Sequence, residues 1–245
     1  MLKDKVAIIT GAASGMGAVH AEKFVEAKAK VMLVDIKEEE GKKLAGILGE
    51  NARFMKLDVS NQEGWFEVVK ETEAAFGPID ILVNNAGMGI FKPIADLTDE
   101  EFRKIIDVNL MSIFYSFKAV IPSMRKKKKG SIINISSVDG LRGASTSGAY
   151  CASKFGVNGL SKCAALEYGA ENIRVNTVHP GLIWTPMAAA PEIKEAIEQI
   201  KKRIPMNRCG ECEEVSNLVI FLASDKSSFI TGAEFVIDGG MISQI

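Results

Sequence analysis

The feature that most constrains the fold of this chain is a regular alternation of short β-branched runs with longer amphipathic segments. The first two runs are Val6 to Thr10 and Lys30 to Asp35, and a segment with helical periodicity follows each of them. Strands that alternate with helices of this kind form a parallel sheet with both faces covered. The pattern continues without a linker or repeat to a last strand at residues 234–237. We therefore predict one α/β domain over residues 1–245, with about seven strands.

A long helix is predicted over residues 99–124, in the middle of the chain. Thr98 stands at its N-cap position, and Glu101 lies at the spacing of a capping box. Residues 186–205 contain no strand pattern and interrupt the alternation.

A glycine-rich turn, Thr10 to Gly17, joins the first strand to its helix. Glycines at this place let the backbone turn tightly and approach a pyrophosphate, which rests on the helix N-terminus. The spacing is Gly-x-x-x-Gly-x-Gly with no Lys-Ser/Thr pair after it, so the turn is not a Walker loop. We predict a dinucleotide-binding turn, with tight strand–helix packing alone as the alternative. The expected contacts are Gly11, Ser14, Gly15, Met16 and Gly17.

Asp35 ends the second strand, where an acidic side chain can accept hydrogen bonds from the hydroxyls of an adenosine ribose. A carboxylate there repels a 2′-phosphate, so we expect NAD rather than NADP as the cofactor. Neither Ile36 beside it nor Ser14 supplies a cation for that phosphate, whereas Lys37 is close enough to leave NADP open.

Two further turns are expected at the same edge of the sheet, because the carboxyl ends of parallel strands lie together. Asp58 and Val59 follow the third strand and are predicted to meet the adenine. Asn85, Ala86 and Gly87 follow the fourth strand, and a small, amide-rich turn there can pass close to a cofactor. The alternative for that segment is an ordinary Asn/Gly turn.

Tyr150 and Lys154 are four positions apart in a segment with helical periodicity, which places both side chains on one face of a helix. A fixed positive charge favours a phenolate, so we expect Lys154 to lower the pKa of Tyr150 below its usual value of about 10. Such a phenol can give or take a proton in a reaction on a C–O bond. Ser137, after a preceding apolar strand, can hold a substrate oxygen against it. The spacing alone is also that of an ordinary exposed helix face.

Charge and cysteine usage exclude several function classes. The net charge is −1, which predicts neither a nucleic-acid nor a membrane partner. The N-terminus has no signal-peptide pattern and the four cysteines are scattered, so we expect a cytoplasmic protein. No metal is expected, because the pair Cys209 and Cys212 lacks a second pair or a nearby histidine.

In their order and spacing these motifs resemble the short-chain dehydrogenase/reductase family, and the resemblance covers the whole chain. It implies a single-domain, Rossmann-type, doubly wound parallel sheet flanked by helices. Besides the residues above, it is carried by Asn109, Ser136, Ile173 to Asn176, Pro180, Gly181, Thr185 and Asp238 to Gly240.

The resemblance also implies hydride transfer between a nicotinamide cofactor and a substrate carbon. Tyr150 would be the general acid/base, Lys154 would lower its pKa and bind the nicotinamide ribose, and Ser137 would orient the substrate oxygen. Asn109 would hold a water that links Lys154 to solvent, or else it is a polar residue that bends the long helix. His179 would be structural rather than catalytic. The segment expected at the nicotinamide amide contains Pro180, Gly181, Ile183 and Thr185.

The expected substrate pocket is apolar, with a mobile lid at residues 186–205. This suits a hydrophobic secondary alcohol or ketone, such as a hydroxysteroid or a cyclic or aryl-alkyl alcohol. The expected pocket residues are Met88, Ser137, Leu141, Tyr150, Trp184 and Met187.

Two alternatives to this function remain open. One is an NADPH-dependent β-ketoacyl carrier-protein reductase, although such enzymes usually carry a cation where Ser14 stands. The other is a non-catalytic, NAD-sensing protein, which would not need Ser137, Asn109, Tyr150 and Lys154 together. In either case the aromatic residues of the long helix predict a symmetric homo-oligomer, and the resemblance implies a homotetramer.

Overall fold

The computed structural model describes residues 1–185 and 194–243. The main sheet contains β1 (Val6–Thr10), β2 (Lys30–Asp35), β3 (Ala52–Lys56), β4 (Ile81–Asn84), β5 (Gly130–Ile135), β6 (Ile173–Pro180) and β9 (Glu234–Ile237). A second, two-stranded sheet contains β7 (Ile183–Trp184) and β8 (Gly210–Glu211). The helices are α1 (Gly15–Glu26), α2 (Glu38–Leu48), α3 (Gln62–Phe76), α4 (Asp99–Ile106), α5 (Ser112–Lys127), α6 (Gly148–Tyr168), α7 (Lys194–Lys201) and α8 (Cys212–Ala223).

The main sheet has seven parallel strands in the order β3-β2-β1-β4-β5-β6-β9. The chain adds β2 and β3 on one side of β1 and then returns to add the later strands on the other side. The order therefore reverses between β1 and β4, and a crevice opens at the carboxyl ends of these two strands. The predicted α/β class, strand number and doubly wound topology are confirmed.

Two apolar layers hold the helices against the sheet. On one face, α1, α2 and α8 pack over a cluster that includes Phe24, Leu33 and Val219. On the other face, α3, α5 and α6 pack over a cluster that includes Trp65 and Val120. Every residue of β1, β4 and β5 is buried, as expected for strands covered on both faces.

The helix predicted over residues 99–124 is not one regular α-helix. Its capping box is confirmed, because Thr98 Oγ1 accepts from Glu101 N and Glu101 Oε2 accepts from Thr98 N. A π-helical turn at Asp107–Met111 then separates α4 from α5, and buried Asn109 lies inside this turn. Single π turns inside helices often occur at functional sites, because they redirect side chains from the regular helical path.

The short sheet of β7 and β8 was not predicted, because two residues carry no readable periodicity. Part of the expected lid, residues 186–193 with Met187, lies outside the described residues. Residues 194–201 of that segment form α7, whose Ile197 packs with Cys209 and Leu182. The lid function stays a prediction.

Candidate active site

The glycine-rich turn lies directly against the loop after β4. Gly11 has a φ of +64°, and a Cβ built on it would lie 2.9 Å from the Cα of Ala86. A Cβ built on Gly15 would lie 3.9 Å from Thr185, so the segment after β6 also reaches this turn. The structure therefore brings together three of the segments predicted to bind the cofactor. At these close approaches a larger residue at position 11 would force the two loops apart.

The N-terminus of α1 suits a pyrophosphate. Helix α1 begins at Gly15, and the side chain of its N-cap residue Ser14 makes no capping hydrogen bond. The first N–H groups of the helix are therefore available to donate hydrogen bonds to an anion, and the helix dipole favours negative charge there. Gly17 is buried one turn into the helix, where a Cβ would collide with the carbonyl of Gly11.

The Asp35 carboxylate is held at the end of β2, next to this turn. Its oxygens accept from Ala13 N at 2.9 Å and from Lys37 N at 3.0 Å, and the residue is 8 % exposed. Ile36 beside it is exposed, so it can form a wall for an adenosine. The position predicted to read the ribose is therefore a fixed, negatively charged group at the crevice.

Asp58 and Val59 after β3 have different surroundings. Asp58 is exposed, and its Oδ1 accepts from both the backbone N and the hydroxyl of Ser60. The side chain of Val59 belongs to the apolar core, and its carbonyl accepts from Trp65 Nε1 at 2.9 Å. Their contact with an adenine stays a prediction.

Thr10 fastens the loop after β4 to β1. Its hydroxyl accepts from the backbone N of Asn85 and of Ala86, both at 3.0 Å, and Asn85 Nδ2 donates to the Thr10 carbonyl at 2.9 Å. Asn85 Oδ1 is buried and has no hydrogen-bond partner among the described residues. Buried acceptors are normally paired, so this amide oxygen is consistent with a bound dinucleotide that completes the site.

The Ser137 side chain hydrogen-bonds the Tyr150 phenol, so the two residues meet as predicted. Ser137 ends the extended chain after β5, and Tyr150 lies in the first turn of α6. Burial raises the pKa of Tyr150, the hydrogen bond from Ser137 opposes that increase, and the nearby charge of Asp139 adds to it. The expectation that the pKa of Tyr150 is lowered is therefore wrong for this structure.

Lys154 explains why the direction differs. Its Nζ donates to the Ile135 carbonyl at 2.8 Å and lies 5.6 Å from the centre of the Tyr150 ring, rather than pairing with the phenol oxygen. The side chain is almost fully buried, and burial lowers the pKa of Lys154 to about 8. Desolvation is thus the largest cause of the pKa shift of both Tyr150 and Lys154.

Asn109 joins the π turn to the loop after β4. Its Oδ1 accepts from Met88 N at 2.8 Å, and its Nδ2 donates to the Met88 carbonyl at 2.9 Å and to Ser153 Oγ at 3.0 Å. A Cβ built on Gly87 would lie 3.4 Å from Asn109 Oδ1 and 3.5 Å from Lys154 Nζ. Asn109 therefore lies beside Lys154 as predicted, and its direct partners are backbone and serine atoms. Its link to a water stays a prediction.

His179 on β6 holds the backbone of Ser137. Its Nδ1 donates to the Ser137 carbonyl at 2.9 Å, and its Nε2 pairs with Thr177 Oγ1 at 3.0 Å. The ring is fully buried, and burial lowers the pKa of His179, which keeps it neutral. Both ring nitrogens are thus engaged in positioning, in agreement with the structural role that was expected.

The segment from β6 to Thr185 runs beside the end of β9. Pro180 pairs with Ile237, and Gly181 N donates to the Ile237 carbonyl at 3.0 Å. Ile183 is buried in β7, and Trp184 beside it is 45 % exposed. This route carries Thr185 to the glycine-rich turn, as the predicted contact with the cofactor requires.

Two residues at the site were missed by the sequence analysis. The Phe91 ring centre lies 5.9 Å from that of Tyr150, and Phe91 is 60 % exposed. Asp139 follows Ser137 by two positions, and its backbone N donates to Ser137 Oγ at 3.1 Å. Asp139 could have been indicated by its position two residues after Ser137. Phe91 could have been indicated by being an aromatic residue in the loop after β4.

Comparison with known proteins decides the family. A family model described as enoyl-(acyl carrier protein) reductase matches residues 11–242. The chain belongs to the short-chain dehydrogenase/reductase family.

Among its relatives is a 3-alpha-(or 20-beta)-hydroxysteroid dehydrogenase of Mycobacterium tuberculosis, 46 % identical over 98 % of this chain and 90 % of the relative. An NADP-dependent (R)-specific alcohol dehydrogenase of Lentilactobacillus kefiri is 44 % identical over 99 % of this chain and 98 % of the relative. The crystal structure of levodione reductase matches all of both chains with a TM-score of 0.95 and 34 % identity. The protein is thus an oxidoreductase of the alcohol-dehydrogenase type, in a family whose members use nicotinamide cofactors.

Proposed function

We propose that this short-chain dehydrogenase/reductase interconverts a hydrophobic secondary alcohol and its ketone with NAD(H), using Tyr150 as general acid/base. The observation that carries the proposal is the meeting of Ser137, Lys154 and the half-buried Tyr150 phenol, with Lys154 Nζ 5.6 Å from the centre of the phenol ring, at the same sheet edge as the glycine-rich turn. A phenol whose pKa is raised is protonated at neutral pH, so it is ready to donate to a ketone oxygen.

Each residue has a physical role in this reaction. The hydroxyls of Ser137 and Tyr150 both hydrogen-bond the substrate oxygen, and they stabilise the negative charge that develops there. Tyr150 gives its proton to that oxygen during reduction and takes it back during oxidation. When bound, the nicotinamide supplies or accepts the hydride. The pKa of Lys154, about 8, is close to neutral pH, so its amino group can exchange protons near the phenol.

The proposed preference for NAD rests on Asp35. Its carboxylate is fixed by the backbone N–H groups of Ala13 and Lys37 at the end of β2, which supports a contact with the adenosine ribose. Two negative charges a few ångströms apart repel each other, so the unphosphorylated ribose is favoured. The relative from Lentilactobacillus kefiri is NADP-dependent, so the preference needs a direct test.

The proposed substrates are hydroxysteroids and cyclic or aryl-alkyl secondary alcohols. Phe91 places an exposed ring beside Tyr150, and Met88, Leu141 and Trp184 are partly or well exposed near the same edge. An apolar mouth of this kind removes the hydrocarbon body of a substrate from water. We further propose a cytoplasmic homotetramer as the active form.

The test is an assay at the absorbance band of the reduced nicotinamide, with NAD or NADP and a panel of hydrophobic secondary alcohols and hydroxysteroids. Tyr150→Phe should lower kcat by at least about 100-fold, because a positioned acid/base contributes about 10²–10⁴. Tyr168→Phe, at the other end of α6, is the matched control and should stay within about twofold of the wild type.

Three outcomes would contradict parts of the proposal. Unchanged turnover in Tyr150→Phe would remove Tyr150 as the acid/base. Preference for NADP with carrier-protein thioesters would favour the β-ketoacyl reductase. Binding of NAD without turnover of any alcohol would favour a non-catalytic NAD-binding protein.

A further inference from the structure

Asp139 is an ionisable residue at the active site that the proposed chemistry does not use. It lies in the 3-10 turn Val138–Gly140, and Ser137 caps this turn by accepting from Asp139 N at 3.1 Å. Gly140 allows the turn to approach α6, because a Cβ built on it would lie 3.1 Å from Lys154 backbone and side-chain carbons. The Asp139 backbone is therefore held against Ser137, and the charge of the Asp139 carboxylate is near enough to raise the pKa of the Tyr150 phenol.

The Asp139 carboxylate accepts no hydrogen bond from the part of the chain that the structure describes. Its nearest cation is Arg142, whose Nε lies 3.7 Å away, beyond hydrogen-bond distance. The Asp139 side chain is only 19 % exposed, and burial raises its pKa. Carboxylates withdrawn from water to this extent usually receive hydrogen bonds, so its acceptor capacity is left for a molecule that enters the site.

Apolar residues accompany the Tyr150 phenol and the turn that contains Asp139. Phe91 packs against the Tyr150 ring, and Leu141 follows the turn that contains Asp139. A substrate bound at Tyr150 would thus meet apolar surface and, in the turn that Ser137 caps, one strong hydrogen-bond acceptor. A second hydroxyl on the substrate is the group that satisfies such an acceptor without adding a buried charge.

We propose that Asp139 is a specificity-determining residue that accepts a hydrogen bond from a second hydroxyl of the substrate. The preferred substrates are then ring-containing diols or hydroxyketones rather than simple monoalcohols. This inference rests on the proposed function and names the substrate class of the same site. A site built to bind a hydroxyl rejects the analogue that lacks it, because the acceptor is left unpaired.

The experiment compares kcat/KM for cyclohexanol with kcat/KM for the 1,2-, 1,3- and 1,4-cyclohexanediols, with the same cofactor throughout. The wild type should prefer at least one diol over cyclohexanol by about tenfold or more, since hydrogen bonds to charged groups contribute about 1.5–3 kcal/mol. Asp139→Leu should bring this ratio close to one, mainly through a higher KM for the diol. Asp139→Asn keeps an acceptor oxygen without the charge and should give an intermediate ratio.

Arg142→Gln is the matched control, because it removes a charge at the same turn but leaves the acceptor in place. Its ratio should equal that of the wild type. If the leucine variant does not fold, the asparagine variant still decides the question, because it is nearly isosteric.

The proposal is overturned if the wild type shows no diol preference, or if the ratio is the same in the wild type and both Asp139 variants. An equal loss for diols and cyclohexanol would also overturn it, because Asp139 would then act on the phenol rather than on the second hydroxyl. Cofactor binding with no oxidation of any alcohol would instead contradict the proposed function, so the two failures are distinguishable.

Discussion

At the end of β2, the Asp35 carboxylate receives backbone hydrogen bonds from Ala13 in the glycine-rich turn and from Lys37 two positions later. These bonds orient the side chain before any ligand binds, so little entropy is lost when it meets a ribose. The Lys37 side chain is the cation that the sequence leaves as a candidate partner for a 2′-phosphate. The backbone N–H of the same residue donates to the Asp35 carboxylate. The proposed preference for NAD therefore depends on one charged residue.

Replacing Asp35 with asparagine should shift the ratio of kcat/KM for NADP over NAD upward by at least about tenfold. The reason is that asparagine removes a negative charge within a few ångströms of the 2′-phosphate. A tenfold change in the ratio corresponds to about 1.4 kcal/mol. Steady-state kinetics with both cofactors and one alcohol measure it.

Asp58→Asn is the control, because Asp58 is an exposed carboxylate at the same sheet edge whose oxygen is occupied by Ser60. It should change the ratio by less than about threefold. A wild-type enzyme that already prefers NADP would show that Asp35 does not control the choice.

Helices α1 and α8 pack against each other on one face of the sheet, and one histidine lies between them. His20 Nδ1 pairs with Ser216 Oγ at 2.7 Å, and Ser216 Oγ donates to the Cys212 carbonyl at 2.9 Å. Since the serine hydrogen is used there, the histidine nitrogen is the donor of the first bond. His20 Nε2 is buried without a partner among the described residues. This element pair therefore fixes the helix whose N-terminus faces the proposed pyrophosphate.

Acid should destabilise this helix pair. Burial lowers the pKa of His20 from 6.5 to about 3, so the folded protein excludes a proton that the unfolded chain binds. The contribution of His20 to stability is present above about pH 6.5 and is lost as the pH falls from there towards about 3. The unfolding free energy of the wild type should fall between pH 7.5 and pH 5, and in His20→Leu this fall should be smaller by about 2 kcal/mol. Urea denaturation at the two pH values measures the difference.

Lys23→Met is the control for this experiment. It removes the 2.8 Å ion pair between Lys23 and Glu213, which joins the same two helices but leaves His20 in place. Its pH dependence should match that of the wild type. An equal pH dependence in His20→Leu and the wild type would show that His20 is not the group responsible.

At the scale of the whole molecule, large apolar side chains remain on the outside of the layer formed by α4, α5 and α6. Phe102, Phe114 and Phe155 are each 41–49 % exposed, and Leu166 is 86 % exposed. The stretch Asp99–Lys127 is long and apolar enough to span a membrane by length and composition alone. Half of its most apolar part, however, is buried inside the fold. Exposed aromatics on adjoining helices are typical of interfaces between copies of a chain.

A second group of exposed apolar residues, Phe229 and Val236, lies in the C-terminal part of the chain, where β9 forms the edge of the sheet. Two separate surfaces of this kind fit the two interfaces of a tetramer with dihedral symmetry.

Phe155→Glu should therefore convert a tetramer into dimers, because a carboxylate at the centre of an apolar interface is desolvated without a partner. Sedimentation velocity measures the change in mass. Ile47→Glu, on α2 in the opposite helix layer and 71 % exposed, should leave the mass unchanged. A monomeric wild type, or a tetramer that tolerates Phe155→Glu, would show that this face is not a subunit interface.

Much of the site was predictable because its residues follow strands. Asp35, Asn85 and Ser137 each lie at the carboxyl end of a strand or within two residues after it, and parallel strands bring such positions to one edge of the sheet. Asp139 and Phe91 were not predictable in this way. Asp139 depends on the turn that Ser137 caps, and Phe91 depends on how the loop after β4 folds back on Tyr150.

The sequence by itself determined the α/β class and the placement of Tyr150 and Lys154 on one helix face, because periodicity is a local property of the chain. The doubly wound order was implied by the family resemblance of the motifs. Only the tertiary structure decided the direction of the Tyr150 pKa, the π turn around Asn109 and the partial burial of the Asp139 carboxylate. These depend on how much water and which partners each group loses when distant segments pack, and spacing in sequence carries no measure of that desolvation.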